Sequence, residues 1–217
     1  LGIQENREIF KDPKKLIPEL INLKKEMDNL VAECFGNHTL FQDIKNKAFS
    51  NFMKQEIYSK QLSNYIDYCM RKGFKGKSTE EIDNALNDII GLFKCINSKL
   101  VFQTESNKQM SERFIKNASL SINAEKNFIS KLKQEVGFSY VNKMTDMIND
   151  LENNKNELEA YKTYPSKGAP NGIKLNVQII SQSAWAIDKI VMEKIETPKF
   201  MTSCLEDFEN FYLKRHD

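Results

Sequence analysis

Apolar side chains recur at three- and four-residue steps through most of this chain, the period at which a helix returns to one face. The densest run is Ile122, Phe128, Ile129, Leu132 and Val136, with Ser121 placed to cap its start. Gly137 stops that helix, since glycine tolerates the geometry of a helix end, and Phe138, Val141, Met144, Ile148 and Leu151 restart the period at once. Helices joined this tightly pack on each other or on neighbours. Upstream, Asp12-Pro13 gives an N-cap and a first helical residue ahead of Leu16, Leu20, Leu23, Met27, Leu30 and Val31. Pro18 lacks a donor, so a kinked or separate first turn is expected. Leu40, Phe41, Ile44, Ala48, Phe49 and Phe52 make a second stripe, and Leu62, Tyr65, Ile66, Cys69 and Met70 a third.

Two glycines and four cations in Arg71–Ser78 interrupt the pattern and predict a solvated connector. Ser78-Thr-Glu-Glu81 is a capping box, and Ile82, Leu86, Ile89, Phe93 and Ile96 continue it as a long helix. From Lys99 to Lys116 the apolar residues thin to Leu100, Val101, Phe102, Met110, Phe114 and Ile115, which predicts a more exposed helix or a narrow buried face. With the two helices around Gly137, these stripes are satisfied most simply by a four-helix bundle over 78–163. Prolines and glycines over 164–172 then predict a turn-rich linker. Ile173, Leu175, Val177 and Ile179 alternate strictly with Lys174, Asn176 and Gln178, the pattern of a half-buried strand. A lone strand leaves backbone donors and acceptors unpaired, so its partners must lie further along a longer chain or in another molecule. A last helix over about Lys199–Arg215 presents Leu205, Phe208, Phe211 and Tyr212 on one face, against which the strand is expected to lie.

The expected fold class is therefore mainly α, a helical segment and a four-helix bundle followed by a small incomplete α/β portion. The divisions fall at 1–77, 78–163 and 164–217. A chain of 217 residues, 40% hydrophobic and 29% charged, buries about 70% of its unfolded surface and supports a core. The absence of an initiator methionine at Leu1 suggests a fragment or processed piece. A net charge of +2 argues against a nucleic-acid binder that works by neutralising phosphates. No apolar run approaches the ~20 residues of a membrane span, and no signal-peptide core opens the chain, so a soluble intracellular protein is expected. Cys34, Cys69, Cys95 and Cys204 are widely spaced and read as reduced structural thiols. Cys34 and His38 have half the spacing of a metal site, but Gly36-Asn37 between them marks a helix end and no metal or cofactor is expected. His38 and His216 are the only histidines, and neither sits in a context that would activate a nucleophile.

Ala124-Glu-Lys-Asn-Phe-Ile-Ser-Lys-Leu-Lys133, followed by Gly137 and Lys143, resembles the central signature of the cullin family. Val136 stands where cullins usually carry Cys, and Asn142-Lys143-Met144 replaces Ser-Lys-Leu. The likeness extends to Asp12-Pro13-Lys14, Phe35-Gly-Asn37, Lys47-Ala-Phe49, Leu62-Ser-Asn-Tyr-Ile-Asp67, Leu92-Phe-Lys-Cys-Ile96 and Lys99-Leu-Val-Phe102. It continues through Val177-Gln-Ile-Ile180 with Trp185 and through Phe208–His216, so it covers about 12–216. The resemblance implies that 1–77 closes the last N-terminal cullin repeat and that 164–217 opens the α/β portion. It implies a non-catalytic scaffold of a ubiquitin ligase in the cytoplasm and nucleus. By that resemblance Val177, Gln178, Ile179 and Ile180 belong to the docking platform of a RING-box subunit. Adaptor and substrate receptor would bind through a region upstream, a ubiquitin-conjugating enzyme would be engaged indirectly, and the lysine that accepts a ubiquitin-like modifier would lie downstream. The alternative is a helical interaction module of another complex, such as a tethering or cullin-like subunit, without a part in ubiquitin transfer. An enzyme carrying ubiquitin on Cys69 or Cys204 has no supporting motif.

Overall fold

The structure is a computed structural model that describes residues 11–164, 175–186 and 198–216. Eight α-helices are present among them: α1 (Pro13–Phe35), α2 (Thr39–Phe52), α3 (Glu56–Tyr68), α4 (Thr79–Phe93), α5 (Lys99–Ile115), α6 (Ile122–Val136), α7 (Phe138–Lys162) and α8 (Lys199–His216). Among the described residues there is no strand, so the fold is mainly α and the small α/β portion is absent from what is described. The chain divides into two compact units, Leu1–Met144 and Thr145–Asp217, and the division falls within α7.

Local chemistry sets the helix ends in the first unit. The Asp12 carboxylate accepts from the Lys14 amide at 3.0 Å ahead of Pro13, and the helix runs through Pro18 without a separate first turn. Pro18 costs one backbone hydrogen bond, and the complete burial of Leu16, Ile17 and Leu20 around it offsets that loss. Both halves of the capping box form at α4, Glu81 N–H donating to Ser78 Oγ at 3.2 Å and Ser78 N–H donating to Glu81 Oε2 at 2.7 Å. The Ser121 hydroxyl caps α6 by accepting from the Ala124 amide at 3.3 Å. Gly137 then separates α6 from α7 at φ 84°, ψ 171°, a conformation all but confined to glycine. His38 Nδ1 accepts from the Leu40 amide at 3.3 Å, so this histidine caps α2.

Helix α3 packs most extensively on α5 and α1, and α4 packs on α6 and α1. Helices from both sides of the 71–78 connector therefore share one unit. Phe93 and Phe102 are buried with ring centroids 5.0 Å apart, and Tyr140 in the first turn of α7 donates from its hydroxyl to the Lys99 carbonyl at 2.5 Å. The α5 helix departs from the sequence expectation. Its buried residues are Phe102, Ser106, Asn107, Met110, Ser111, Arg113 and Phe114, a broad face that is more than half polar. Burial of those polar groups depends on partners: Ser63 and Ser106 share a hydrogen bond of 2.9 Å, and Arg113 binds carboxylates on α3 and α6. Phe138, placed on the α7 stripe by its spacing, is instead 55% exposed, its ring under the Lys133 ammonium at 5.3 Å.

The end of α3 widens into one π-turn, Cys69–Gly73, in which the Phe74 amide reaches back to the Cys69 carbonyl at 3.0 Å. The Met70 carbonyl accepts from the Leu120 amide of the α5–α6 connector at 2.9 Å. A β-carbon on Gly73 would stand 3.0 Å from the Tyr68 ring, so a larger residue there would have to displace that ring.

Candidate functional site

The second unit is organised by a largely polar stripe on α7. Asp150, Asn154, Glu157 and Tyr161 lie four, three and four residues apart, so α7 carries them on one face. Asp150 accepts three hydrogen bonds, from the Ser181 amide at 2.7 Å, the Ser181 hydroxyl at 2.9 Å and the Trp185 indole at 2.7 Å. Trp185 and Ala184 are buried beside it. Asn154, itself buried, pairs both ends of its amide with one residue: the Ile179 amide donates to Oδ1 at 2.7 Å, and Nδ2 donates to the Ile179 carbonyl at 2.9 Å. Tyr161 donates to Asp207 on α8 at 2.8 Å, and its ring packs on Phe208 and Phe211 at 5.0 and 5.2 Å.

Val177, Gln178, Ile179 and Ile180, the residues expected to form the docking strand, are all half-buried. The expected alternation of buried and exposed positions is not seen, and no strand forms over 175–181; Ile173 and Lys174 fall outside the described residues. The reason is the partner. The segment is held on α7 through Asp150 and Asn154, which grip its backbone, while the rings of Phe208 and Phe211 pack on Tyr161 and that of Phe211 also on Tyr164. Leu205, expected on the buried face of α8, is 51% exposed, while Cys204, Phe208 and Phe211 are buried. The helical period places two adjacent apolar faces on α8, and only contact with α7 selects between them.

A cavity of about 580 Å³ is bounded by 179–181, by Asn153 and Asn156 on α7, and by the last turn of α8. Its charged wall is an ion pair between Glu157 and Arg215 at 3.2 Å, with His216 Nε2 3.3 Å from the same carboxylate. Neither sequence spacing nor composition singled out Asp150, Asn154 or Glu157. Their only signal is a run of four- and three-residue steps made of polar side chains, which equally describes a wet helix face.

The arrangement holds a piece of backbone in place through Asp150 and Asn154. Helices packed in series on one another, as in the first unit, are the architecture of an α-solenoid. The sequence profile of the Cullin alpha solenoid domain matches residues 2–158, and the chain belongs to the cullin family. It is 30% identical over 220 residues to Cullin-3 of Dictyostelium discoideum, a match covering 100% of this chain and 28% of that protein. It is 28% identical over 206 residues to Cullin-4A of Mus musculus, covering 94% of this chain and 27% of that protein. Against Cullin-3B of Arabidopsis thaliana it is 27% identical over 208 residues, covering 95% and 28%. The chain thus spans little more than a quarter of these relatives' length.

Proposed function

We propose that this chain is the part of a cullin–RING ubiquitin ligase scaffold that supports the RING-box subunit. The observation carrying the reading is the segment Val177–Ile180, which α7 holds by its backbone without a strand beside it among the described residues. An unpaired stretch of this kind favours strand addition by a partner, because its remaining donors and acceptors gain hydrogen bonds only from another backbone. In this reading the chain acts as a scaffold, and no bond is made or broken by the chain itself. Adaptor and substrate receptor bind elsewhere on the full-length protein, and the conjugating enzyme is reached through the RING-box subunit.

The test is a titration of the full-length protein, wild type and Gln178→Pro, against a RING-box protein. Proline removes one backbone donor and is tolerated in an extended chain, so binding should weaken while the thermal transition of the helices stays in place. Equal affinities would remove Val177–Ile180 from the docking platform.

A further inference from the structure

The bidentate grip of Asn154 on Ile179 carries information about pairing register. A single side-chain amide can receive an N–H and donate to a C=O of the same residue only when both point to one side, as they do in extended chain. Alternation then directs the peptide groups of Gln178 and Ile180 to the opposite side. Among the described residues these two peptide groups make no hydrogen bond. One step further on, Asp150 takes both the amide and the hydroxyl of Ser181, which ends the free stretch. Open peptide groups are thereby limited to one edge.

We infer that Asn154 is a positioning residue for partner docking. It occupies the Ile179 edge of the segment so that an incoming extended strand pairs only on the other edge, at Gln178 and Ile180. This rests on the docking reading above and adds the edge, the register and the residue that sets them. The occupant is an extended backbone segment, recognised through its N–H and C=O groups, with side-chain selection left to the cavity walls formed by Tyr212, Arg215 and Asn153. Without Asn154 the segment would expose both edges and could rotate about its own axis, so a strand would meet several competing registers.

Hydrogen exchange resolved to single amides, on the full-length protein alone and in complex with a RING-box protein, tests this directly. In the free protein the Ile179 amide should be protected and those of Gln178 and Ile180 should exchange quickly; binding should protect the latter two. Asn154→Leu should abolish protection at Ile179 in the free protein and weaken RING-box binding by about tenfold, the equivalent of one to two net hydrogen bonds. Asn154→Asp keeps the acceptor for the Ile179 amide but sets a charged oxygen against the Ile179 carbonyl, so it should weaken binding at least as much as the leucine variant while leaving the Ile179 amide partly protected, and it carries the test if the leucine variant does not fold. Wild-type affinity in both variants, with Gln178 and Ile180 still protected in the complex, would overturn the role of Asn154 while leaving the docking reading intact. A tight wild-type complex that leaves Gln178 and Ile180 unprotected would overturn the docking reading itself.

Discussion

Arg113 is 3% exposed, and removing it should destabilise the first unit more than any apolar truncation of similar size. Its guanidinium donates to Glu125 through Nε at 3.0 Å and Nη2 at 2.9 Å, and to Asp67 through Nη1 at 2.8 Å. Burial opposes its charge, but the attraction and hydrogen bonds of Glu125 and Asp67 outweigh it and hold the guanidinium above its ordinary range. The carboxylate of Glu125 is 0% exposed and, apart from Arg113, has only the Ser119 hydroxyl at 2.8 Å as a described donor. Arg113→Met would strand that charge, a loss of about 3–5 kcal/mol. Asp67 keeps Arg71 at 2.8 Å, so the damage should concentrate on Glu125. Arg113→Met with Glu125→Leu replaces the pair by apolar groups and should return to within about 2 kcal/mol of wild type, the remainder arising from Ser119 and Asp67. Against a total of ~5–15 kcal/mol for a native protein, the single variant should show an early urea transition by circular dichroism and the double variant a late one. A loss below about 1 kcal/mol in the single variant, or a double variant no better than the single, would refute a buried charge as the source of the effect.

At the α6–α7 junction, Gly137→Ala should cost about 1–3 kcal/mol through the backbone alone, since a β-carbon there meets nothing within 4 Å; an unchanged urea midpoint would show that the junction relaxes. Burial pushes the Cys69 thiol from its ordinary 9.0 to about 11, opposed by a hydrogen bond with Tyr65 and the charge of Lys77. A raised value means that the folded state favours the protonated thiol, so this contribution is complete below pH 9 and fades as pH rises towards 11. Cys69→Ala should therefore flatten the fall in urea midpoint across that window, and an identical fall in both proteins would contradict it.

The parts of the fold legible in the sequence are those decided within a few residues. Asp12-Pro13, the Ser78–Glu81 box, Ser121 and Gly137 act on the backbone next to them, so their chemistry is visible without knowing what lies across the core. The polar face of α5 was not legible, because Ser106 and Arg113 become core residues only when Ser63, Asp67 and Glu125 meet them from elsewhere in the chain. The candidate site shows the same limit. Alternation at 173–179 predicted a strand, yet none forms over 175–181 and what grips that stretch is the polar stripe of α7; a stripe that binds backbone has the same composition as one that binds water. For Leu205 and Phe138 the period was present and the exposure contrary, since periodicity gives a face but not the width of what covers it.

The wide turn at Cys69–Gly73 bears on how this helix tolerates changes of length. A residue inserted into a regular helix turns everything beyond it by about 100° and carries buried side chains out of the core. A π-turn holds one surplus residue as a local bulge. Tyr58, Leu62 and Ile66 can therefore keep their buried face while the stretch beyond Gly73 keeps its own bearing on the connector that donates to Met70. The bulge works as a phase adjuster between two runs of chain, and its tolerance is a single residue. Removing one there would return the Met70 carbonyl to the helix ladder and withdraw it from Leu120.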